Sequence, residues 1–390
     1  INEMIRKEAT TSASKAEVMY RDLHQNPELS LMEFQTAAKM AEALRQIGFE
    51  VTTGVGGNGV VGVFKNGKGP VIMLRTDMDA LPVKETTGLP FASKVISPAD
   101  GTGVPVMHAC GHDLHMTVWH GTLKTMVDLK KNWKGTIVAI AQPAEEVSGG
   151  SDRMIADGLF TRFPKPDFAL CFHVSPDLPT GSIGYFPGAI FAGVNSADIK
   201  VLGVGGHGAM PHKTIDPVVL SAQMILDFQT IVSREINPVY PAVVTVGSIH
   251  GGTKHNIIPE EVNMKLTLRF FSEDVYRQIR EALVRKANGL AMAAGLPEEK
   301  MPVVTFAEEY TPPVINDSEL VSMAVTSMKE MLGSENVVRV DPSTVAEDFG
   351  KYGRTDEKVK ISLFWLGGAN REKYDESIAR GTMLPALHSS

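Results

Sequence analysis

The sequence has few of the features that mark membrane, nucleic-acid-binding or disulfide-rich proteins. Its 390 residues include only two cysteines, Cys110 and Cys171, which is too few for a disulfide framework and favours metal chemistry for a thiol among histidines. No apolar run reaches about 18 residues, so we expect no membrane span. A formal net charge of −7 and the lack of a basic run argue against a nucleic-acid surface. Short repeats and low-complexity segments are also missing.

The remaining composition is that of an ordinary soluble protein. Apolar residues make up 43% and charged residues 21% of the chain, values typical of globular domains. A chain of this length exceeds the usual size of a single core, so two domains are expected. The first residue is Ile1 rather than methionine, and the sequence therefore leaves a periplasmic or secreted location open beside a cytoplasmic one.

Hydrophobic periodicity divides the chain into two kinds of structure. Strands and helices alternate up to about residue 190, which predicts an α/β layer with a central sheet. From Ser196 to Phe306 the predicted order is βαββαβ, the order of a ferredoxin-like α+β domain. We therefore predict one α/β domain, formed by residues 1–190 and 307–390, that is interrupted by an inserted domain over residues 191–306.

Two local motifs have simple structural interpretations. The run Ser30-Leu31-Met32-Glu33 predicts a capping box at the start of a helix. The segments Gly54–Gly59 and Gly203–Gly208 both fit G-x-G-x-x-G, the pattern of a dinucleotide-binding turn. That function requires a helix to begin at the motif, and the residues that follow do not predict one. We therefore interpret both segments as glycine turns.

The most unusual stretch is Met107–His115, which reads Met-His-Ala-Cys-Gly-His-Asp-Leu-His. Four of the 11 histidines, including His112, fall between His108 and His120. Imidazole nitrogen and thiolate sulfur both suit borderline-soft cations, so the crowding indicates a metal site. The alternative is a tight turn followed by a helix that carries histidines for packing.

Further polar groups follow predicted strands, where α/β sheets hold their ligands. Asp77 and Asp79 come after one strand, Glu145 and Glu146 after another, and His173 after a third. Adjacent glutamates on extended backbone point to opposite sides, so one can bind a metal while the other moves a proton. The competing interpretations are turn-capping aspartates, a solvated glutamate pair, a glycosidase-like carboxylate pair and a structural histidine.

The inserted domain and the end of the chain carry polar residues with weaker signals. His207, Asn256 and Arg269 belong to the predicted inserted domain, where an arginine fork and an amide could hold a carboxylate. His388 lies near the end of the sequence. Considered alone, His207, Asn256 and Arg269 are each expected to be ordinary surface residues, and His388 is a tail histidine without a functional signal.

Taken together, these motifs resemble the dinuclear metallopeptidase family of the aminoacylases, in its hippurate hydrolase and auxin-conjugate amidohydrolase branch. The resemblance covers nearly the whole chain in the family's order. It rests on Asp77–Pro82, Met107–Asp113, Gln142–Glu146, His207–His212, Asp216-Pro217, Val244–Gly247, Gly251-Gly252, Asn256–Pro259 and Glu347–Phe349. It implies a zinc-aminopeptidase-like catalytic domain with an inserted dimerisation domain, and a homodimer or higher homo-oligomer.

The resemblance also implies roles for single residues. Glu145 corresponds to the general base, Asp79 to the acid that orients a ligand, and His207 to a histidine that reaches the active site of the partner in dimers. Asn256 and Arg269 correspond to positions that hold the substrate carboxylate. The metal ligands correspond to Cys110, His112, Glu146, His173 and His388. Our hypothesis is a bridging Cys110, with His112 and His173 on one metal and the other two ligands on the second.

The implied activity is hydrolysis of the amide bond of an N-acyl amino acid, a small-molecule substrate, with two divalent ions. Sulfur, nitrogen and oxygen ligands together permit Zn, Mn, Ni or Co. A dipeptidase or carboxypeptidase with the same dinuclear site is the alternative. A metal-containing binding protein is a further alternative, although it would not need a base at Glu145.

Overall fold

The computed structural model describes residues 1–98, 103–308 and 310–390, which fold into two compact units. The first unit consists of Ile1–Ile190, Val314–Asp341 and Asp348–Ser390. The second consists of Phe191–Pro313 and Pro342–Glu347. The sequence prediction ended the inserted segment at residue 306, whereas the second unit continues to Pro313 and also includes Pro342–Glu347.

The helices and strands of the described residues are numbered in chain order. The helices are α1 (Asn2–Gln25), α2 (Phe34–Gln46), α3 (His112–Asp128), α4 (Gly150–Ala156), α5 (Leu159–Arg162), α6 (Pro217–Thr230), α7 (Glu273–Ala293), α8 (Ser318–Leu332) and α9 (Arg371–Arg380). The strands are β1 (Glu50–Val55), β2 (Gly59–Asn66), β3 (Val71–Asp77), β4 (Ile96–Ser97), β5 (Val104–Pro105), β6 (Gly135–Gln142), β7 (Phe168–Pro179), β8 (Ile183–Tyr185), β9 (Gly188–Phe191), β10 (Gly193–Leu202), β11 (Gly206–His207), β12 (Ala242–Gly251), β13 (Ile257–Ile258), β14 (Glu261–Phe270), β15 (Val303–Phe306), β16 (Val314–Asn316), β17 (Val337–Arg339) and β18 (Lys360–Ala369).

The first unit is built on an eight-stranded mixed sheet in the order β1-β2-β6-β3-β7-β18-β8-β17. Its central strands β6, β3, β7 and β18 are parallel to their neighbours within this group. Seven of the eight residues of β6 are buried, as expected for a strand covered on both faces. Parallel strands end at one edge of a sheet, and this edge carries the polar groups described below.

Helices cover the first sheet and form its cores. Apolar side chains of α1, α2 and α3, including Leu23, Leu44 and Met116, pack together with Ile137 and Ala139 of β6. A smaller cluster forms where α8 packs on β8, β17 and β18. The prediction of an α/β layer with a central sheet is confirmed.

The second unit contains a four-stranded antiparallel sheet in the order β12-β14-β10-β15. Along β10, Ala197, Ile199 and Val201 are buried whereas Ser196 and Asp198 are exposed, so one face of the sheet meets the core. Buried residues of α6 and α7 complete that core. The chain order is βαββαβ, and the predicted ferredoxin-like fold is confirmed.

Two local predictions have clear outcomes. The prediction of a capping box at Ser30–Glu33 is wrong. The Ser30 hydroxyl donates to Asp79, and the Glu33 carboxylate accepts the backbone N–H of the distant Ala144. Helix α2 begins after both residues, at Phe34. The glycines of Gly54–Gly59 turn the chain between β1 and β2, as predicted. Within the described residues, the structure has no helix that could span a bilayer.

Candidate metal centre

Polar side chains gather at the carboxyl edge of the first sheet. Asp77 is the last residue of β3, Glu145 and Glu146 follow β6, and α3 begins at His112 directly after Cys110 and Gly111. The sequence predicted that His173 follows its strand, but β7 continues to Pro179 and His173 lies within it. The edge of the sheet therefore places thiol, imidazole and carboxylate groups side by side.

Cys110 lies between two histidines from distant parts of the chain. Its Sγ is 3.6 Å from Nε2 of His173 and 3.2 Å from Nε2 of His388. The backbone N–H of His388 donates to the carbonyl of Ala109 at 2.8 Å, which fixes the chain beside the thiol. His388, which reads as a tail residue in the sequence, is thus anchored next to the site.

The five predicted ligands form two groups that share Cys110. Within each group, one ligand atom of each residue lies within 4.8 Å of the others, and the groups are Cys110–His112–His173 and Cys110–Glu146–His388. The distance from Nε2 of His388 to Oε1 of Glu146 is 3.6 Å. The two groups would hold two cations, with Cys110 common to both.

Two buried ligand atoms have no hydrogen-bond partner among the described residues: Nε2 of His112 and Oε1 of Glu146. They lie 3.7 Å apart. The other ring nitrogen of His112, Nδ1, donates to the backbone carbonyl of Asp79 at 2.7 Å, so in the neutral ring the lone pair is on Nε2. Buried polar atoms are nearly always satisfied, and a cation would satisfy both of these. The donor set therefore fits a metal.

The pKa shifts of three ligands fit a cation. Burial raises the pKa of the Cys110 thiol and the pKa of the Glu146 carboxyl. Burial, followed by the neighbouring His115, lowers the pKa of His173 well below its usual value, which keeps this imidazole neutral. A neutral imidazole is the ligand form, and a metal ion supplies the positive charge that a buried thiolate needs.

His112 differs from these three ligands. Burial opposes its charge, but the charge of Asp77 and the hydrogen bond to Asp79 raise its pKa well above 6.5. A metal would therefore displace a proton from this ring.

Asp79 supports the site through both its backbone and its side chain. Its Oδ1 accepts the backbone N–H of Glu145 at 3.1 Å, and its Oδ2 accepts that of Glu146 at 2.9 Å. Burial opposes ionisation, but the hydrogen bond and charge of His112 lower the pKa of Asp79. This aspartate therefore orients one ligand through its carbonyl and two glutamates through its carboxylate.

His115 lies near the ligands, but both of its ring nitrogens are already engaged. Nδ1 is 2.7 Å from Oδ1 of Asp77, and Nε2 accepts the backbone N–H of Val174 at 2.8 Å. His115 therefore donates from Nδ1 and has no lone pair for a metal. Because Val174 follows His173, this hydrogen bond also steadies the strand that presents a predicted ligand.

Glu145 is the predicted base, and it lies within the same group of side chains. It is buried, and its Oε2 is 3.9 Å from Nε2 of His112. It belongs to a further group of possible ligands with His112 and Glu146. A buried carboxylate in this position could act as a proton acceptor for an attacking water.

The other predicted site residues lie in the second unit. His207 pairs with Ile257 where β11 meets β13, and the N–H of Gly208 donates to the carbonyl of Asn256 at 2.9 Å. His207 and Asn256 are therefore close in the fold, and both are exposed. Arg269 is half-buried on the face of β14 that points away from the core.

The fold and the site together define a class: a metal-dependent hydrolase of amide bonds, with an α/β domain and an inserted ferredoxin-like domain. The chain belongs to Peptidase family M20/M25/M40, which matches residues 73–387.

Named relatives and a solved structure agree with this assignment. The chain is 37% identical to thermostable carboxypeptidase 2 of Saccharolobus solfataricus over 90% of its own length and 86% of the relative. It is 37% identical to hippurate hydrolase of Campylobacter jejuni, covering 86% of the chain and 84% of that protein. The crystal structure of Bacillus subtilis YXEP, described as a dinuclear metal binding peptidase from the M20 family, superposes with a TM-score of 0.78 at 29% identity, covering 94% of this chain and 95% of that one.

Proposed function

We propose that the chain is a metal-dependent amidohydrolase that cleaves N-acyl amino acids, of the hippurate or N-acetyl type, to a carboxylic acid and a free amino acid. The observation that carries the proposal is the pair of ligand groups sharing Cys110, with Glu145 beside them. The similarity to a hippurate hydrolase supports this substrate class. The dinuclear site of the Bacillus subtilis structure supports two ions, for which Zn, Mn, Ni and Co all suit the donor set.

The proposed roles follow from the positions of the side chains. Divalent cations, when bound, polarise the amide carbonyl and make water more acidic. Cys110, His112, Glu146, His173 and His388 would hold them. Glu145 takes the proton of the attacking water and delivers it to the leaving amine. Asp79 holds the backbone of both glutamates, so the base stays at a fixed distance from the ligands.

The proposal also assigns roles to three residues of the second unit. Asn256 and Arg269 would bind the carboxylate of the substrate, since an amide and a guanidinium both donate to carboxylate oxygens. His207 would donate to the oxyanion, a contribution typically worth about 3 kcal/mol. We assign these roles through the resemblance of the motifs, and the exposure of His207 and Asn256 is compatible with ligand contact.

We also propose that the protein is a homodimer formed through the second unit. Strand β12 lies at the edge of its sheet. Beside that sheet, α6 exposes apolar residues at helical spacing, with Val219 55% and Leu226 73% exposed. An exposed edge strand next to an apolar helix face can pair with a second copy of itself.

The decisive experiment replaces the base and varies the substrate. Glu145→Gln should retain the parent's metal content and lose nearly all hydrolysis of hippurate, since only proton transfer is removed. Hippurate, N-acetyl-methionine and dipeptides are assayed with Mn²⁺, Co²⁺ or Zn²⁺. Preference for dipeptides would favour the peptidase alternative, which the carboxypeptidase relative supports. If no compound is hydrolysed by the metal-loaded parent, a binding protein becomes the better interpretation.

A further inference from the structure

The turn that carries Glu145 and Glu146 has an unfavourable backbone. Ala144, the residue before them, has a φ of +53°, and Ser148 has a φ of +54°. Residues with a side chain avoid this left-handed region, so the surrounding structure must stabilise it. The carbonyl of Ala144 accepts the N–H groups of Gly149 and Gly150, at 3.2 and 3.1 Å. A Cβ at Gly150 would lie 1.6 Å from the carbonyl oxygen of Pro143, so the turn is also tightly closed.

Three successive N–H groups of this turn are held by carboxylates from outside it. Asp79 accepts those of Glu145 and Glu146. The N–H of Ala144 donates to Oε1 of Glu33 at 2.8 Å, across 111 residues of sequence. Glu33 has no exposed surface, and it lies just before α2 in the Ser30–Glu33 segment that the sequence marked as a capping box.

The contacts of Glu33 are not those of a helix cap. The same Oε1 also accepts the N–H of Leu31 at 2.9 Å, and Leu31 is itself left-handed, with a φ of +67°. Oε2 accepts the side-chain amide of Asn58 at 3.0 Å. Oε1 of Glu33 therefore accepts hydrogen bonds from two residues with left-handed backbone, Leu31 and Ala144. Ala144 directly precedes Glu145. Ser30 adds a second link, because its hydroxyl donates to Oδ2 of Asp79 at 2.6 Å.

We propose that Glu33 is a positioning residue for the reaction: its carboxylate fixes the left-handed Ala144 turn and thereby sets where the Glu145 and Glu146 carboxylates lie. The inference rests on the proposed roles of these two glutamates. A small displacement of Glu146 weakens a metal ligand, and a small displacement of Glu145 moves the base away from its proton. Neither effect requires Glu33 to touch substrate.

The test compares Glu33→Ala with Glu28→Ala. Glu28 is a matched control because its carboxylate accepts the N–H groups of Gln35 and Thr36, at 3.1 and 2.8 Å, at the start of the same helix. Its carboxylate has no hydrogen bond to the Ala144 turn among the described residues. Both variants are stripped of metal and titrated with Mn²⁺ by calorimetry, and the metal-loaded forms are assayed for kcat and KM.

For Glu33→Ala we expect about 10- to 100-fold weaker binding of one Mn²⁺ and a comparable loss of kcat, the range seen when a partner of a metal ligand is removed. KM should change less, because Glu145 acts in the transition state. Glu28→Ala should lose stability and keep the parent's Mn²⁺ affinity and kcat. Equal Mn²⁺ affinity and kcat in the two variants would overturn the proposal. If Glu33→Ala does not fold, Glu33→Gln replaces it, with a smaller loss expected in the same direction.

A second variant tests whether Glu33 acts through the turn. Glycine adopts positive φ without strain, so Ala144→Gly removes the strain that Glu33 offsets. In the Glu33→Ala background it should recover part of the lost Mn²⁺ affinity, a non-additive effect. Equal affinity with and without Ala144→Gly would contradict the proposed route. If the parent hydrolysed no N-acyl amino acid, the proposed function would fail, whereas the Mn²⁺ comparison would still decide the role of Glu33.

Discussion

Gly111 separates two predicted ligands, Cys110 and His112, and its conformation determines how both can face the same point. Its φ is +80°, and a Cβ built there would lie 2.5 Å from Cγ1 of Val174. Val174 is buried and follows His173, so it has little freedom to withdraw. The left-handed turn and the close approach both require glycine at this position.

We expect Gly111→Ala to lower the free energy of unfolding by about 3 kcal/mol, the sum of a left-handed side chain and an overpacked contact. Gly181→Ala is the control, because Gly181 also has a positive φ, of +91°, but open space around it. It should cost only about 1 kcal/mol. Denaturant unfolding of the metal-free variants measures both. Equal losses would show that the contact with Val174 is unimportant.

At this scale the sequence pointed to the residues that the structure gathers, because Cys110, His112 and the glutamate pair lie in compact motifs. It could not assign Ser30 and Glu33, whose local spacing fits a capping box. Their partners, Asp79 and Ala144, are distant in sequence, and only the folded chain brings them together. Local patterns carry no information on such long-range hydrogen bonds.

Helices α1 and α3 are joined by a buried ion pair close to the ligands. Nδ1 of His24, near the end of α1, is 2.6 Å from Oδ2 of Asp113 in the first turn of α3, and Nε2 is 3.2 Å from Glu85. Burial opposes the charge on His24, but the hydrogen bond to Asp113 raises its pKa above 6.5. Burial likewise opposes ionisation of Asp113, and His24 lowers its pKa.

These shifts predict how stability depends on pH. The stabilisation of the native state by protonated His24 is complete below pH 6.5. It is lost as the pH rises through the pKa of His24 in the folded protein, because the imidazole then loses its proton. From pH 6.5 upward, the metal-free parent should lose unfolding free energy as His24 releases its proton. His24→Gln should show a smaller decrease, since His112, whose pKa is also raised, still titrates. Parallel curves for the parent and the variant would rule out the charged pair.

Element boundaries show what periodicity can and cannot predict. The alternation of strands and helices predicted the sheet of the first unit, and the βαββαβ order predicted the fold of the second. Helix α1 begins at Asn2 without a side-chain cap, so no capping signal in the sequence marks its start. Strand β7 was expected to end at Phe172 and extends to Pro179, since its pairing with β18 continues past His173. Tertiary pairing therefore set the ends that local patterns missed.

The three tryptophans of the chain, Trp119, Trp133 and Trp365, all lie in the first unit. Tryptophan fluorescence therefore reports unfolding of the unit that contains the candidate ligands. Two of the three, Trp119 and Trp365, are buried, and the ring of Trp365 lies 5.2 Å from that of His173. The second unit contributes to circular dichroism but not to this fluorescence signal.

Metal removal should therefore act on one unit more than on the other. Binding to the folded state stabilises it by about 3 to 4 kcal/mol when free metal is 100- to 1,000-fold above Kd. We expect Zn²⁺ or Mn²⁺ to raise the midpoint of the fluorescence transition and a chelator to reverse the change. The variant Cys110→Ser/His388→Ala, which removes one ligand shared by both groups and one further ligand, is the control and should not respond. An equal response of parent and variant would place the metal elsewhere.

The proposed dimer can be tested by mixing two variants that are each expected to be inactive on their own. If His207 acts in the site of the partner, a His207→Ala chain and a Glu145→Gln chain each lack a different part of every site in their own homodimers. In a mixed dimer, one site has Glu145 from the first chain and His207 from the second, while the other site has neither. Equal mixing should therefore restore about a quarter of the parent activity, since half of the dimers are mixed and half of their sites are complete. Light scattering and a tagged subunit establish dimerisation and exchange. If exchange is demonstrated and activity stays at the level of the separate variants, His207 does not act across the dimer.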